Sequence, residues 1–117
     1  MTYIPKYRPQ FAKDVKRYTG LKSRIEKKVL SILEDPYHNT EPLEDRPGHH
    51  LKGIRSKRID RNFRILFSIC EECRKLFSPA AEIKPCRYCD PSLPGTTVIF
   101  FTVRPHKKVY KTDKPVG

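Results

Sequence analysis

Residues 62–69 read NFRILFSI, and an apolar side chain stands at every second position. A β-strand directs successive side chains to opposite faces, so the odd-numbered residues of this stretch share one face and Arg64 lies on the other. The alternation predicts a strand with one face on a hydrophobic core. Residues 97–104, rich in β-branched and aromatic side chains, predict a second strand, and residues 54–60 predict a shorter strand before the first.

Two segments upstream repeat their apolar residues at helical spacing. In the first, RPQFAKDVKRYT at residues 8–19, Pro9 suits the first helical turn and Gly20 is the predicted C-cap. The second, LKSRIEKKVLSILEDP at residues 21–36, ends where an aspartate precedes a proline. Its apolar stripe consists of Leu21, Ile25, Val29, Ile32 and Leu33.

The fold class that follows is α+β, with an N-terminal helical hairpin packed on one face of an antiparallel β-sheet. At 117 residues the chain has room for one modest core, so residues 1–117 are predicted to form a single domain. Tyr3 and Ile4 are predicted to add an edge strand. Residues 37–50 show no regular spacing of apolar side chains and are predicted to be a loop.

The charge of the chain favours a polyanionic partner. There are 25 lysines and arginines against 13 acids, which gives a net charge of +12, and a domain this basic most often meets nucleic acid. No apolar run approaches the length of a membrane span, and no segment combines a basic face with a broad apolar one, so no membrane partner is expected. The N-terminus has no apolar segment of the secretory type, so a cytoplasmic location is expected.

All four cysteines fall within residues 70–89, CEECRKLFSPAAEIKPCRYC, as two Cys-x-x-Cys pairs separated by twelve residues. Zn²⁺ prefers four thiolates at tetrahedral corners, and this spacing is typical of a zinc ribbon. We therefore predict one structural Zn²⁺ in an insertion at residues 70–96, within a long hairpin connection between two strands. Disulfides would need an oxidising compartment, and a redox dithiol usually occurs as a single such pair. The predicted ligands are Cys70, Cys73, Cys86 and Cys89.

Four segments together resemble a known family. They are FAKD at residues 11–14, LKGIRSKRI at 51–59, NFRILF at 62–67 and FFTVRPHKKVY at 100–110. In this order and spacing they are similar to the motifs of the RelE/ParE superfamily of type II toxins, whose members also carry a helical hairpin before the sheet. Outside residues 70–96 the resemblance covers nearly the whole chain.

The resemblance implies an endoribonuclease that cleaves mRNA on the ribosome and is neutralised by a cognate antitoxin protein. In such enzymes the 2′-OH attacks the adjacent phosphate, which requires a base, cations for the developing charge and an acid. By position, Arg64 and Arg104 resemble the phosphate-stabilising arginines, His106 a catalytic histidine and Tyr110 the closing tyrosine. The predicted RNA-binding residues are Arg55, Lys57, Arg58, Arg61, Lys107 and Lys108.

Two other functions remain open at this point. A non-catalytic module could grip RNA or DNA with the zinc ribbon and the basic sheet, and would show salt-dependent binding without cleavage. A ParE-like toxin would instead inhibit DNA gyrase through protein contacts, which need no cluster of phosphate-handling residues.

Overall fold

The computed structural model describes residues 2–43, 52–76 and 92–105. The helices of this part are α1 (Pro9–Arg17), α2 (Lys22–Glu34) and α3 (Cys70–Leu76), with one 3₁₀ turn (Thr19–Leu21) between α1 and α2. None of these helices is long and apolar enough to cross a membrane. The strands are β1 (Ile4–Tyr7), β2 (Glu41–Pro42), β3 (Ile54–Arg58), β4 (Phe63–Ile69) and β5 (Thr97–Pro105).

The five strands form one sheet in the order β1-β5-β4-β3-β2. Neighbouring strands are antiparallel except for β1, which pairs with β5 in parallel, with Ile4 opposite Thr97 and Tyr7 opposite Phe100. The prediction of a purely antiparallel sheet is therefore wrong for this pair. The predicted edge strand is present, and it pairs with β5. The residues Tyr3 and Ile4 alone could not predict whether this pairing is parallel or antiparallel, because β5 is distant in sequence.

The core lies between the sheet and helices α1 and α2. The odd-numbered residues of β4 face it as predicted: Ile65, Phe67 and Ile69 are fully buried. They meet Phe11 of α1, the apolar stripe of α2 and three buried residues of β5 in one cluster. Each large apolar side chain buried in this way contributes about 1.5–3 kcal/mol to the free energy of unfolding. The buried residues from α2 and β5 are Ile25, Val29, Ile32, Leu33, Val98, Phe100 and Val103.

The end of α1 differs from the prediction. The C-cap residue is Tyr18, whose backbone N–H donates to the Asp14 carbonyl, and Gly20 lies within the 3₁₀ turn that follows. Among the described residues a positive φ occurs only at Gly53 (93°) and Asn39 (52°). Gly20 is therefore not a left-handed cap, because the tighter turn already continues the chain into α2.

A buried carboxylate fastens α1 to the edge of β5. Asp14 is 2% exposed, and its side chain accepts hydrogen bonds from the Val103 backbone N–H (3.0 Å), the Thr102 hydroxyl and the Gln10 amide (2.9 Å). The strand β1 ends at Tyr7, so β5 has no neighbouring strand at this level on that side. Asp14 takes the place of the missing strand and holds the last residues of β5 in position.

Replacing Asp14 by alanine should lower the free energy of unfolding by about 2–4 kcal/mol, because it leaves the Val103 N–H and the Thr102 hydroxyl without their buried acceptor. Urea denaturation measures the change. Lys13→Ala, an exposed neighbour on the same helix, is the control and should stay within about 0.5 kcal/mol of wild type. Equal stability of the two variants would contradict this account of the β5 edge.

Candidate nucleic-acid interface

The register of three strands aligns three arginines. Arg58 of β3 is paired with Arg64 of β4, and Arg64 is paired with Arg104 of β5. Directly paired residues of antiparallel strands point to the same face, so the three side chains leave the sheet side by side. They leave it on the face opposite α1 and α2, as the alternation around Arg64 predicts. We call these three residues the arginine row.

The three members of the arginine row differ in exposure. Arg58 is exposed and Arg104 is half-buried, whereas Arg64 is only 6% exposed. The Arg64 guanidinium donates to the Ser56 hydroxyl (3.2 Å) and lies 3.5 Å from the Glu41 carboxylate. Strand β2 is only two residues long, and the sequence pattern gave no sign of it, so Glu41 was not predicted to take part in the site. Arg64 is held in place by these contacts before any ligand arrives.

Two of the predicted RNA-binding residues lie on the other face of the sheet. Alternation along β3 places Arg55 and Lys57 opposite the arginine row, on the side of the helices. The buried Lys57 ammonium donates to the His38 carbonyl (3.2 Å), and loss of hydration, together with the nearby Lys28 charge, lowers the pKa of Lys57. The structure therefore does not bring Arg55 and Lys57 together with Arg64.

The remaining predicted site residues fall into two groups. Arg61 lies in the exposed turn between β3 and β4, next to Arg58 in the chain. Cys86, Cys89, His106, Lys107, Lys108 and Tyr110 lie outside the described residues, and their roles stay predictions. Strand β5 ends at Pro105, so His106 is two residues beyond Arg104 in the chain.

The first Cys-x-x-Cys pair lies on helix α3, which continues directly from β4. Cys70 and Cys73 are both 1% exposed, and the Cys73 thiol lies 3.6 Å from the Gly53 carbonyl oxygen. Residues three apart share one side of a helix, so the two thiols are on the same side of α3. Within residues 2–43, 52–76 and 92–105 no three potential metal ligands gather. The four-cysteine site therefore stays a prediction.

The chain returns from the insertion against α3. The Glu71 backbone N–H donates to the Gly95 carbonyl (2.9 Å), and the Arg74 guanidinium donates to the Leu93 carbonyl (2.7 Å). A Cβ atom on Gly95 would lie 3.4 Å from the Glu71 Cβ, so the two segments are in close contact. Cys89 precedes Leu93 by four residues, which span at most about 14 Å. The chain is thus short between Cys89 and the residue that contacts α3.

The two residues between Cys70 and Cys73 anchor α3 to the rest of the molecule. Glu71 accepts hydrogen bonds from the hydroxyls of Tyr3 (2.5 Å) and Tyr37 (3.0 Å). Glu72 receives the Arg55 guanidinium through two nitrogens, at 2.9 and 2.7 Å. We call these five residues, Tyr3, Tyr37, Arg55, Glu71 and Glu72, the α3 anchor. Sequence reasoning missed the anchor because its members are up to 69 positions apart and follow no local pattern.

The α3 anchor changes the acidity of its tyrosines. The hydrogen bond to Glu71, followed by burial, raises the pKa of Tyr3 to about 12. Burial, followed by the hydrogen bond to Glu71, raises the pKa of Tyr37. The Arg55 guanidinium lies over the Tyr37 ring at 5.0 Å and also donates to the Thr40 hydroxyl (3.1 Å). Arg55 therefore has a structural role in the anchor.

No protein-family model matches the sequence, and no curated protein matches it significantly. Solved structures do match, and the three described below are toxins or toxin–antitoxin complexes. A chain of the RelBE2 toxin–antitoxin complex from Mycobacterium tuberculosis superposes with a TM-score of 0.59 at 18% identity, over 91% of this chain and 100% of that chain.

Two further structures extend the match. The E. coli DinJ-YafQ toxin–antitoxin complex gives a TM-score of 0.58 at 12% identity, over 94% of this chain and 99% of that chain. A YoeB/ParE toxin from Agrobacterium tumefaciens gives a TM-score of 0.58 at 14% identity, over 88% of this chain and 98% of that chain. The chain thus has the fold of the RelE/ParE toxins, and the resemblance in sequence motifs is confirmed at the level of the fold.

The stabilisation that the Tyr3 hydroxyl adds should depend on pH. Its folded-state pKa of about 12 exceeds the ordinary value of 10.0, so the contribution is fully present below pH 10 and is lost as the pH rises through about 12. The difference in unfolding free energy between wild type and Tyr3→Phe, measured by urea denaturation, should therefore shrink over this range. Tyr18→Phe is the control, because the Tyr18 hydroxyl bonds no described residue. A difference that stays constant up to pH 12 would refute the role of Glu71.

Proposed function

We propose that this protein is the toxin of a type II toxin–antitoxin pair and cleaves mRNA on the ribosome. The observation that supports this is the arginine row, which aligns an exposed, a buried and a half-buried arginine on the face of the sheet away from α1 and α2. Like charges paired directly across strands destabilise a sheet, so their alignment is best explained by an anionic ligand. The fold agrees with the proposal because its structural neighbours are toxins.

The reaction would be attack of a ribose 2′-OH on the adjacent phosphate, with release of the 5′-oxygen of the next nucleotide. Negative charge grows on the phosphate oxygens in the transition state, and fixed cations in a partly dry site stabilise it most. Arg64 suits this role, because burial and its bonds to Ser56 and Glu41 orient it in advance. Arg58 and Arg104 flank it, and a guanidinium can bind two phosphate oxygens at once.

Proton transfer needs two further groups. Histidine is the side chain whose unperturbed pKa lies nearest neutrality, which makes His106 our candidate for acid or base, and Tyr110 stays a further candidate by resemblance. Glu41 is a second candidate base, because its carboxylate is 68% exposed and lies against Arg64. A Glu41→Gln variant that loses the acidic limb of the pH–rate profile would assign the base to Glu41, and an unchanged profile would leave the role to His106.

The Arg64→Ala/Arg104→Ala double variant should lose mRNA cleavage by about a hundredfold or more, because the charge of the transition state is then left without its cations. Cleaved mRNA ends mapped with purified ribosomes, together with growth arrest on expression, measure the effect. The matched control is Lys22→Ala/Lys27→Ala, which removes the same charge from the exposed face of α2. Cleavage by the folded double variant at the wild-type rate would refute the assignment.

The same assays separate the other two functions. Salt-dependent RNA binding by the wild type without cleavage, with ribosomes supplied, would favour a non-catalytic binding module. Inhibition of DNA supercoiling without RNA cleavage would favour a gyrase inhibitor.

The expected protein partner is a cognate antitoxin. Two of the structural neighbours are toxin–antitoxin complexes, RelBE2 and DinJ-YafQ. A net charge of +12 favours an antitoxin with an acidic segment, which would cover the arginine row by charge complementarity. Covering the row would block RNA directly.

We also propose that Cys70, Cys73, Cys86 and Cys89 hold one structural Zn²⁺. The shared side of α3 for the first two thiols and the short return path to α3 support this site. The metal would supply folding energy to an insertion that has little apolar core of its own. With all four ligand positions filled by the protein, it would not bind substrate.

The purified protein should contain one zinc per chain by elemental analysis, and Cys86→Ser/Cys89→Ser should lower that content to near zero. The change should lower the melting temperature, because the insertion loses its metal cross-link. Ser92→Ala serves as a control outside the cysteine pairs. A metal-free wild-type protein with the same melting temperature in the presence and absence of chelator would contradict the zinc site.

A further inference from the structure

A second cationic site lies on the helix side of the sheet. A pocket of about 400 Å³ opens beneath the turn between β3 and β4. Lys28 of α2, Asn39 of the following loop, Lys57 of β3 and Arg61 of the turn contribute to its lining. Arg58 also lines it and belongs to the arginine row, so the pocket and the row meet at the end of β3.

Lys57 is the most buried charged residue of this pocket. The residue is 5% exposed, and its ammonium group donates one hydrogen bond, to the His38 carbonyl, within the described part of the chain. An ammonium has three donors, so two lack a partner among these residues. Its charge therefore lies in a pocket lined by three further basic residues, where a bound anion would be its counter-charge.

Three other basic residues line the pocket. Lys28, Arg58 and Arg61 make no ion pair with a described carboxylate. The one acid of the lining is Asp60, and its charge is already engaged. One of its oxygens accepts the backbone N–H groups of residues 62 and 63 (2.7 and 3.0 Å), and the other lies 3.4 Å from a guanidinium nitrogen of Arg24.

We propose that this pocket binds a phosphate group, as an anion site separate from the arginine row. The ammonium groups of Lys28 and Lys57 are its main donors, and Arg61 contributes from the rim. Two sources present this chemistry: a phosphodiester of an RNA strand that continues past Arg58 around the β3–β4 turn, and free phosphate or a small phosphorylated metabolite. Binding here does not depend on cleavage at the arginine row.

The test compares two double variants that each remove two positive charges. Lys28→Gln/Lys57→Met alters the pocket, and Lys22→Gln/Lys27→Gln removes two exposed lysines of α2 that do not line it. The first probe is a DNA oligonucleotide, which has no 2′-OH and is not cleaved, followed by fluorescence anisotropy from low to moderate salt. The second probe is inorganic phosphate, followed by the rise in melting temperature that it produces.

The pocket variant should bind the oligonucleotide about tenfold more weakly than the control variant, since charge-assisted bonds to one phosphate are lost. The slope of log K against log salt should fall by about one. An effect on the oligonucleotide alone identifies a strand phosphodiester as the ligand. An effect on inorganic phosphate alone identifies the free anion. If neither probe distinguishes the two variants, the pocket is not a phosphate site.

Stability provides an independent readout. Lys57→Met removes a buried charge and keeps the volume of the side chain, so its melting temperature should equal or exceed that of wild type. A lysine retained for structure alone would give a marked loss of stability instead. Should Lys57→Met fail to fold, Lys28→Gln/Arg61→Gln changes only the remaining, more exposed donors, and wild-type binding of both probes by that variant would overturn the proposal.

Discussion

The structure depends on the register in which β4 lies between β3 and β5. Pairing of Arg64 with Arg58 on one side and Arg104 on the other sets which residues enter the core and which form the arginine row. A slip of one residue in β4 would move Ile65, Phe67 and Ile69 to the open face and bury Arg64 among apolar side chains. The three apolar residues are fully buried, so the core itself holds the arginines in line.

Holding the arginines in line has an electrostatic cost, and the neighbours of Arg64 reduce it. Ser56 and Glu41 lie on the same face as the row and contact the central guanidinium, so the arginine with least exposure has the most partners. The side chains of Arg58 and Arg104, at the two ends, make no hydrogen bond or ion pair with a described residue. This difference in exposure and in contacts suits a site in which Arg64 is fixed in position and Arg58 and Arg104 contact the ligand.

A feature of the fold or of the site could be predicted where it depends on residues that are close together in the sequence. The periods of two and 3.6 predict β4, α2 and the core they share, because each depends on residues a few positions apart. The sequence RSKR at residues 55–58 shows the limit of such local prediction. Three of its four residues are basic, and all three were predicted to bind RNA. Alternation along the predicted strand already separates Arg58 from Arg55 and Lys57, but only the pairing with β4 shows which of the two faces joins Arg64.

The α3 anchor and the β1–β5 pair could not be predicted, because both join segments that are distant in sequence. Tyr3 reaches Glu71 across 68 positions, and no spacing rule relates them.

The connection between β4 and β5 runs from Ile69 to Thr97, at the end of the strand pair away from Arg64 and Arg104, and it must be compatible with the same register. The α3 anchor holds the start of this connection, and the contacts of Glu71 with Gly95 and of Arg74 with Leu93 hold its end. Both ends are thus attached to one short helix before the chain enters β5. An insertion fastened in this way can vary without shifting the strands, because its two ends keep a fixed separation. The position of the first cysteine pair on that same helix means that a metal bound there would reinforce the contacts that keep the arginine row in line.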